Sequence, residues 1–115
     1  LIYGNRLGGS ILFTHLHVHT EYSLLDGMGK IKDVVTKVKA SGMSACAITD
    51  HGVGYGLPDF YAECKNQGIK PILGCEVYEA PKNRFDKKSE NEDKNYHHLI
   101  LLAINIKKQY GRLLL

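Results

Sequence analysis

Long apolar runs are missing from this sequence: none approaches the roughly 18 to 20 residues that cross a bilayer. The start also lacks a basic segment followed by an apolar stretch and a cleavage site. A membrane span and a secretory signal are thereby disfavoured, and a cytoplasmic location is expected. Cysteine is scarce. Cys46, Cys64 and Cys75 form an odd set with no two-residue spacing, which suits neither a disulfide framework nor a zinc knuckle. Reduced thiols are expected, with Cys75 acting as a small buried hydrophobe. A strong charge excess is absent as well, since 15 basic against 12 acidic side chains leave a formal +3, too mild to mark a nucleic-acid binder. What is present is 115 residues, 43% of them hydrophobic, which fits at most one globular domain.

Residues 1–12 begin with a glycine-bearing stretch of no helical period and are expected to form a flexible leader or a cut edge. From Ile11 to His19 the odd positions Ile11, Phe13, His15, His17 and His19 would share one face of a strand, with Leu12, Leu16 and Val18 on the other. Ile31, Val34, Val35 and Val38 recur at helical spacing between lysines, and Ser41-Gly42 supplies a stop. Ala45 to Thr49 has the length of a buried strand. A second helix is expected from Pro58 to Gly68, a third strand from Ile69 to Tyr78 interrupted by Gly74, and a fourth from His98 to Ile104. The alternation predicts βαβ units, a parallel sheet with flanking helices, in an α/β barrel fragment or an open doubly wound sheet.

Between the third and fourth strands, Pro81 to Asn95 is polar and without period. Lys82, Arg84, Lys87, Lys88 and Lys94 could touch a DNA backbone, but Asp86, Glu90, Glu92 and Asp93 offset them, which favours a solvated surface loop.

The histidines carry the chemical signal. His17 and His19, two apart on one strand face, would place their alpha carbons about 7 Å apart, close enough for both imidazoles to reach one ion. An isolated His-x-His is as readily a pair of half-exposed strand histidines, so its company matters. Asp26 follows closely in an Asp-Gly pair, which alone would be a turn and beside two histidines is a candidate carboxylate ligand. Asp50-His51 and Glu76 fall at or just past strand ends, where α/β folds gather ligands. Nitrogen and oxygen donors together favour zinc, manganese or iron over calcium, and more than four candidates point to a cluster of two or three ions. His15 is expected one layer deeper as a packed histidine, and Asp50 to orient a ligand or a backbone amide without binding metal itself.

Four blocks, His17-Val18-His19-Thr20, Glu21-Tyr22-Ser23-Leu24-Leu25-Asp26-Gly27, Ile48-Thr49-Asp50-His51-Gly52 and Gly68-Ile69-Lys70-Pro71-Ile72-Leu73-Gly74-Cys75-Glu76-Val77-Tyr78, resemble in order the polymerase and histidinol phosphatase (PHP) family. Ala80-Pro81 through Arg84-Phe85-Asp86, and His98-Leu99-Ile100-Leu101-Leu102-Ala103, extend the likeness over residues 13–105. Its style is that of the N-terminal domain of bacterial replicative DNA polymerases. The resemblance implies a distorted barrel of parallel strands and flanking helices, of which this chain would hold the first half. It implies a metal cluster, zinc or manganese with iron as a third option, held by His17, His19, Asp26, His51, Glu76 and His98, with His97 as the alternative to His98. No catalytic residue is singled out. The implied chemistry is phosphoester hydrolysis of the proofreading exonuclease type, or else a metal-stabilised scaffold without catalysis. A stand-alone phosphatase is disfavoured by the polymerase-style blocks. Implied partners are DNA and other replicase subunits, with no membrane. Later family ligands, a cysteine or histidine and then an Asp-x-His pair, have no counterpart here, and residues 106–115 diverge, as a truncated or frameshifted reading would give. The fragment alone is expected to be inactive and to self-associate through an open sheet edge.

Overall fold

The computed structural model describes residues 13–80, 83, 85 and 97–104. The expected leader at 1–12, most of the charged loop and the divergent end at 106–115 lie outside the described residues.

Helix α1 spans Ile31–Ala40, and Ile31, Val35 and Val38 form its buried stripe while its lysines face out. Asp33 in the first turn and Lys37 and Lys39 in the last complement the helix dipole. Strand β1, Ala45–Ile48, is buried throughout. Helix α2, Leu57–Gln67, carries Pro58 in its first turn and buries Phe60 and Cys64. It stops at Gly68, whose φ of 75° is left-handed and strains any residue with a Cβ. The Ile69 amide then donates to the Cys64 carbonyl at 2.9 Å, which turns the chain directly into β2, Lys70–Glu79. Strand β3 is His97–Leu102.

The strand order is β1-β2-β3. β1 and β2 are parallel with Ile48 opposite Leu73, and α1 and α2 pack over the face that presents Cys46, Ile48 and Leu73. Val35 and Phe60 are fully buried there, and each such side chain contributes about 1.5 to 3 kcal/mol of hydrophobic stabilisation. The opposite face carries the site.

Three expectations need correction. The pattern from Ile11 to His19 predicts a strand, but its described part, from Phe13 on, forms only one bridge, His15 to Cys46. The Ala47 amide bonds the His15 carbonyl and the Thr49 amide bonds the Val18 carbonyl, both at 2.8 Å. Three steps along the outer segment thus match two along β1, an extra residue of the kind that makes a bulge and breaks a ladder. The sheet is also mixed, not all parallel: β3 runs antiparallel to β2, with Glu76 opposite Ile100 and Tyr78 opposite His98. A parallel return needs a long crossover, usually a helix, and the polar aperiodic stretch before β3 has no pattern to form one. Gly74 does not interrupt β2. Three strands and a flanking segment do not close a ring, so the described residues form a mixed α/β unit. No helix among them is long and apolar enough to cross a membrane.

Candidate metal centre

Glu76 is the hub. Its alternation on β2 turns it away from the helices, yet it is only 2% exposed because imidazoles cover it. His17 Nε2 lies 2.6 Å and His19 Nε2 2.9 Å from Oε2, while His98 Nδ1 contacts Oε1 and His51 Nδ1 lies 3.7 Å from it.

Each side chain is delivered by a different local device. Val18 is bound in both directions to Thr49, directly after β1, its amide donating to Thr49 Oγ1 at 3.1 Å and its carbonyl accepting from the Thr49 amide at 2.8 Å. With Val18 packed against the apolar core, its neighbours His17 and His19 are turned to the Glu76 side. His51 follows β1 and bridges to Glu76, the Gly52 amide bonding the Glu76 carbonyl at 2.8 Å and the Glu76 amide the Asp50 carbonyl at 3.1 Å. His98 sits opposite Tyr78, hence on the same face as Glu76. His97, one residue off, takes the other face.

Asp26 arrives on a tight loop. Ser23 and Gly27 amides bond the Thr20 and Ser23 carbonyls at 2.9 and 2.8 Å, and Leu25 takes φ 68°. Asp26 Oδ2 then lies 2.7 Å from His51 Nε2 and 4.0 Å from His19 Nδ1. The His19 and His51 rings stack with centroids 4.2 Å apart.

The structure therefore brings together all six residues expected as ligands. They fall into three overlapping triads, His17/His19/Glu76, His19/Asp26/His51 and His51/Glu76/His98, each with donor atoms within 4.8 Å of one another. His15 and His97 lie outside these groups. His15 instead meets Phe13 edge-on at 4.7 Å.

The first triad tests whether metal suits the site. His17 Nε2, His19 Nε2 and Glu76 Oε2 form a triangle with sides of 2.9, 2.6 and 2.9 Å. Hydrogen bonds can satisfy two sides, each imidazole donating to the carboxylate, but the third then sets two N–H groups against each other. A cation shared by all three satisfies every side, and ligands about 2.0 to 2.2 Å from one ion stand about 3 Å apart at right angles. The donor set fits a borderline divalent ion. Burial pushes the Glu76 carboxyl up, but hydrogen bonds to His98 and His17 and the charges of His51 and His17 outweigh it, so it is held below the usual glutamate value.

Asp50, 3% exposed, contacts no imidazole directly. It accepts from the Thr20 amide at 2.6 Å, Thr20 Oγ1 at 2.8 Å and Ser23 Oγ at 2.7 Å. Thr20 and Ser23 thus border the candidate site with no donor pattern in the sequence to mark them, as does Tyr78, whose hydroxyl lies 3.4 Å from His51 Nδ1. The available signal is a pair of hydroxyl residues one and four positions after His19. Cys75 donates its thiol to the Asp50 carbonyl at 3.4 Å and belongs to no donor group. Beside His51 a groove of about 550 Å³ opens, lined by Glu21, Tyr22, Leu24, Val53 and Tyr55.

A family model for the PHP domain matches residues 15–114. The DNA polymerase III subunit alpha of Chlamydia pneumoniae is 56% identical over 90 residues, 78% of this chain and 7% of that protein. Its counterpart from Borreliella burgdorferi is 53% identical over 93 residues, 81% of this chain and 8% of that one. The chain therefore spans less than a tenth of these relatives. Among solved structures, an amidohydrolase from Chromobacterium violaceum with bound sulfate and no metal superposes with TM-score 0.60 at 25% identity, over 77% of this chain and 27% of that one. A protein from Bifidobacterium adolescentis described as a metal-dependent phosphoesterase superposes with TM-score 0.58 at 19% identity, over 76% and 26%, a likeness of fold. With the histidine-rich face and the family match resting on the same stretch, the chain belongs to the PHP-domain family.

Proposed function

We propose that His17, His19, Asp26, His51, Glu76 and His98 hold a cluster of divalent metal ions, zinc or manganese with iron as a third option. We place the chain in the N-terminal PHP domain of a bacterial replicative DNA polymerase, a DNA polymerase III alpha subunit, whose partners are DNA and other replicase subunits in the cytoplasm. The observation that carries the metal reading is the triangle of His17, His19 and Glu76, which protons cannot fully satisfy. Identities of 56% and 53% to polymerase subunits support the parent protein over a stand-alone phosphatase.

Bound metal would supply an activated water and a counter-charge for the phosphoryl and leaving oxygens of a phosphodiester. The chain's own residues would bind and orient. Glu76, buried and facing two triads, would tie neighbouring positions together. Asp50 would hold the loop that presents His19 and Asp26, acting through Thr20 and Ser23. The groove beside His51 leaves room for the rest of a substrate.

The test uses the full-length polymerase. Wild type is expected to copurify with metal and to release nucleotides from labelled single-stranded DNA in a metal-dependent manner, with His17→Ala losing both. Metal retained without nucleotide release would leave the non-catalytic scaffold. Wild-type protein that holds no metal would overturn the metal centre.

A further inference from the structure

The protons around Asp50 can be assigned by counting donors, and the count reaches His19. The buried Asp50 carboxylate only accepts. Its Oδ1 receives the Thr20 amide at 2.6 Å and Ser23 Oγ at 2.7 Å, and its Oδ2 receives Thr20 Oγ1 at 2.8 Å. Each hydroxyl also meets one backbone amide, Tyr22 N at 3.3 Å from Thr20 Oγ1 and His51 N at 3.2 Å from Ser23 Oγ. An amide can only donate, so each hydroxyl accepts there and commits its single proton to Asp50. Ser23 Oγ has one lone pair left, and His19 Nδ1 faces it at 3.0 Å. With no proton remaining on Ser23 to give, His19 must carry one at Nδ1. Its Nε2 is then turned to His17 Nε2 and Glu76 Oε2, each 2.9 Å away.

We propose that Ser23 is a positioning residue that accepts the His19 Nδ1 proton and so holds the ring with Nε2 aimed at His17 and Glu76. Ser23 is 1% exposed, so water does not offer an equivalent acceptor. A ligating histidine commonly donates its second ring nitrogen to an oxygen partner, but here the acceptor is a hydroxyl whose polarity is set by a buried aspartate one step further out. The consequence for metal affinity rests on the metal reading given above. The Nδ1 proton itself does not.

The experiment separates the two. Long-range proton–nitrogen correlation spectra of the chelator-treated 115-residue chain, labelled at histidine, report the state of each ring nitrogen without metal. For wild type, His19 is expected to show a protonated Nδ1. Ser23→Ala is expected to lower the population protonated at Nδ1 and to weaken zinc binding about tenfold to a hundredfold. Wild-type His19 without a proton at Nδ1 would overturn the proposal with no variant needed. So would an unchanged Nδ1-protonated population in a folded Ser23→Ala protein. A wild-type chain with the expected Nδ1 proton that binds no zinc would overturn the metal reading and leave the proton assignment standing.

Discussion

Glu76 and Gly27 show how much of the site depends on single positions. Glu76 is the shared partner of His17, His19, His51 and His98, so Glu76→Ala should abolish metal binding in the complete parent domain, as should His17→Ala. His15→Ala should change it little, since His15 meets Phe13 and lies outside the donor groups. Metal analysis of the purified variants decides this, and equal loss in His15→Ala would contradict the assignment. At Gly27 the constraint is space: a Cβ there would stand 1.9 Å from the Thr20 carbonyl oxygen. The loop would have to move off Thr20, the residue that anchors Asp50, so Gly27→Ala should cost about 2 to 4 kcal/mol in urea denaturation and lower metal content together with stability. These residues were unevenly legible. The histidines and acids announce themselves as donors in a repeated pattern. Ser23 and Thr20 do not, because a hydroxyl becomes significant only when its neighbours are known.

The elements follow the same logic of what a one-dimensional pattern encodes. α1, α2, β1 and β2 could be read because burial on one side leaves a period, Ile31/Val35/Val38 for a helix and a short unbroken apolar run for β1. The bulge between His15 and Val18 could not, since an extra residue against β1 is a property of the pair. The direction of β3 was equally hidden, because it depends on pairing with β2; the preference for His98 over His97 came from the family resemblance and not from the strand pattern. Packing of elements also sets thiol chemistry. Cys46 of β1 and Cys64 of α2 meet in the helix–sheet core, where burial pushes the Cys46 thiol from 9.0 to about 11 and, with the nearby Cys46 and Glu63, the Cys64 thiol to about 12. A raised folded value means the stabilising protonated form is fully present below 9.0 and is lost as the pH climbs through about 11 to 12. In the folded protein Cys46 and Cys64 should therefore resist alkylation at pH near 8, and the unfolding free energy should fall as the pH rises above about 9. Rapid alkylation of either cysteine in the native state, read by mass spectrometry, would show that this core is open.

For the molecule as a whole, the purified 115-residue chain should release no nucleotides from single-stranded DNA, even with added zinc or manganese. Its candidate ligands are covered on one side only: the side chains of His17, Asp26 and His98 are 55%, 59% and 48% exposed around a Glu76 that is 3% exposed. Water admitted from that side weakens the electrostatic hold on a phosphodiester that an enclosed site would strengthen. The matched structures are about four times longer than the overlapping region, which covers 27% and 26% of them, and the family likeness implies three further ligands. Among the described residues β3 ends the sheet, with Leu99 and Leu101 47% and 50% exposed. Apolar side chains exposed on a terminal strand invite a second chain, so the 115-residue chain should associate with rising concentration. Replacing Leu101 by lysine should suppress that association, as charge does on natural edge strands. Sedimentation velocity across a concentration series measures the association, and labelled single-stranded DNA with His17→Ala as control measures the activity. Metal-dependent turnover by the fragment that the control abolishes would show that these six side chains suffice without the cover and the further ligands that the fold family supplies.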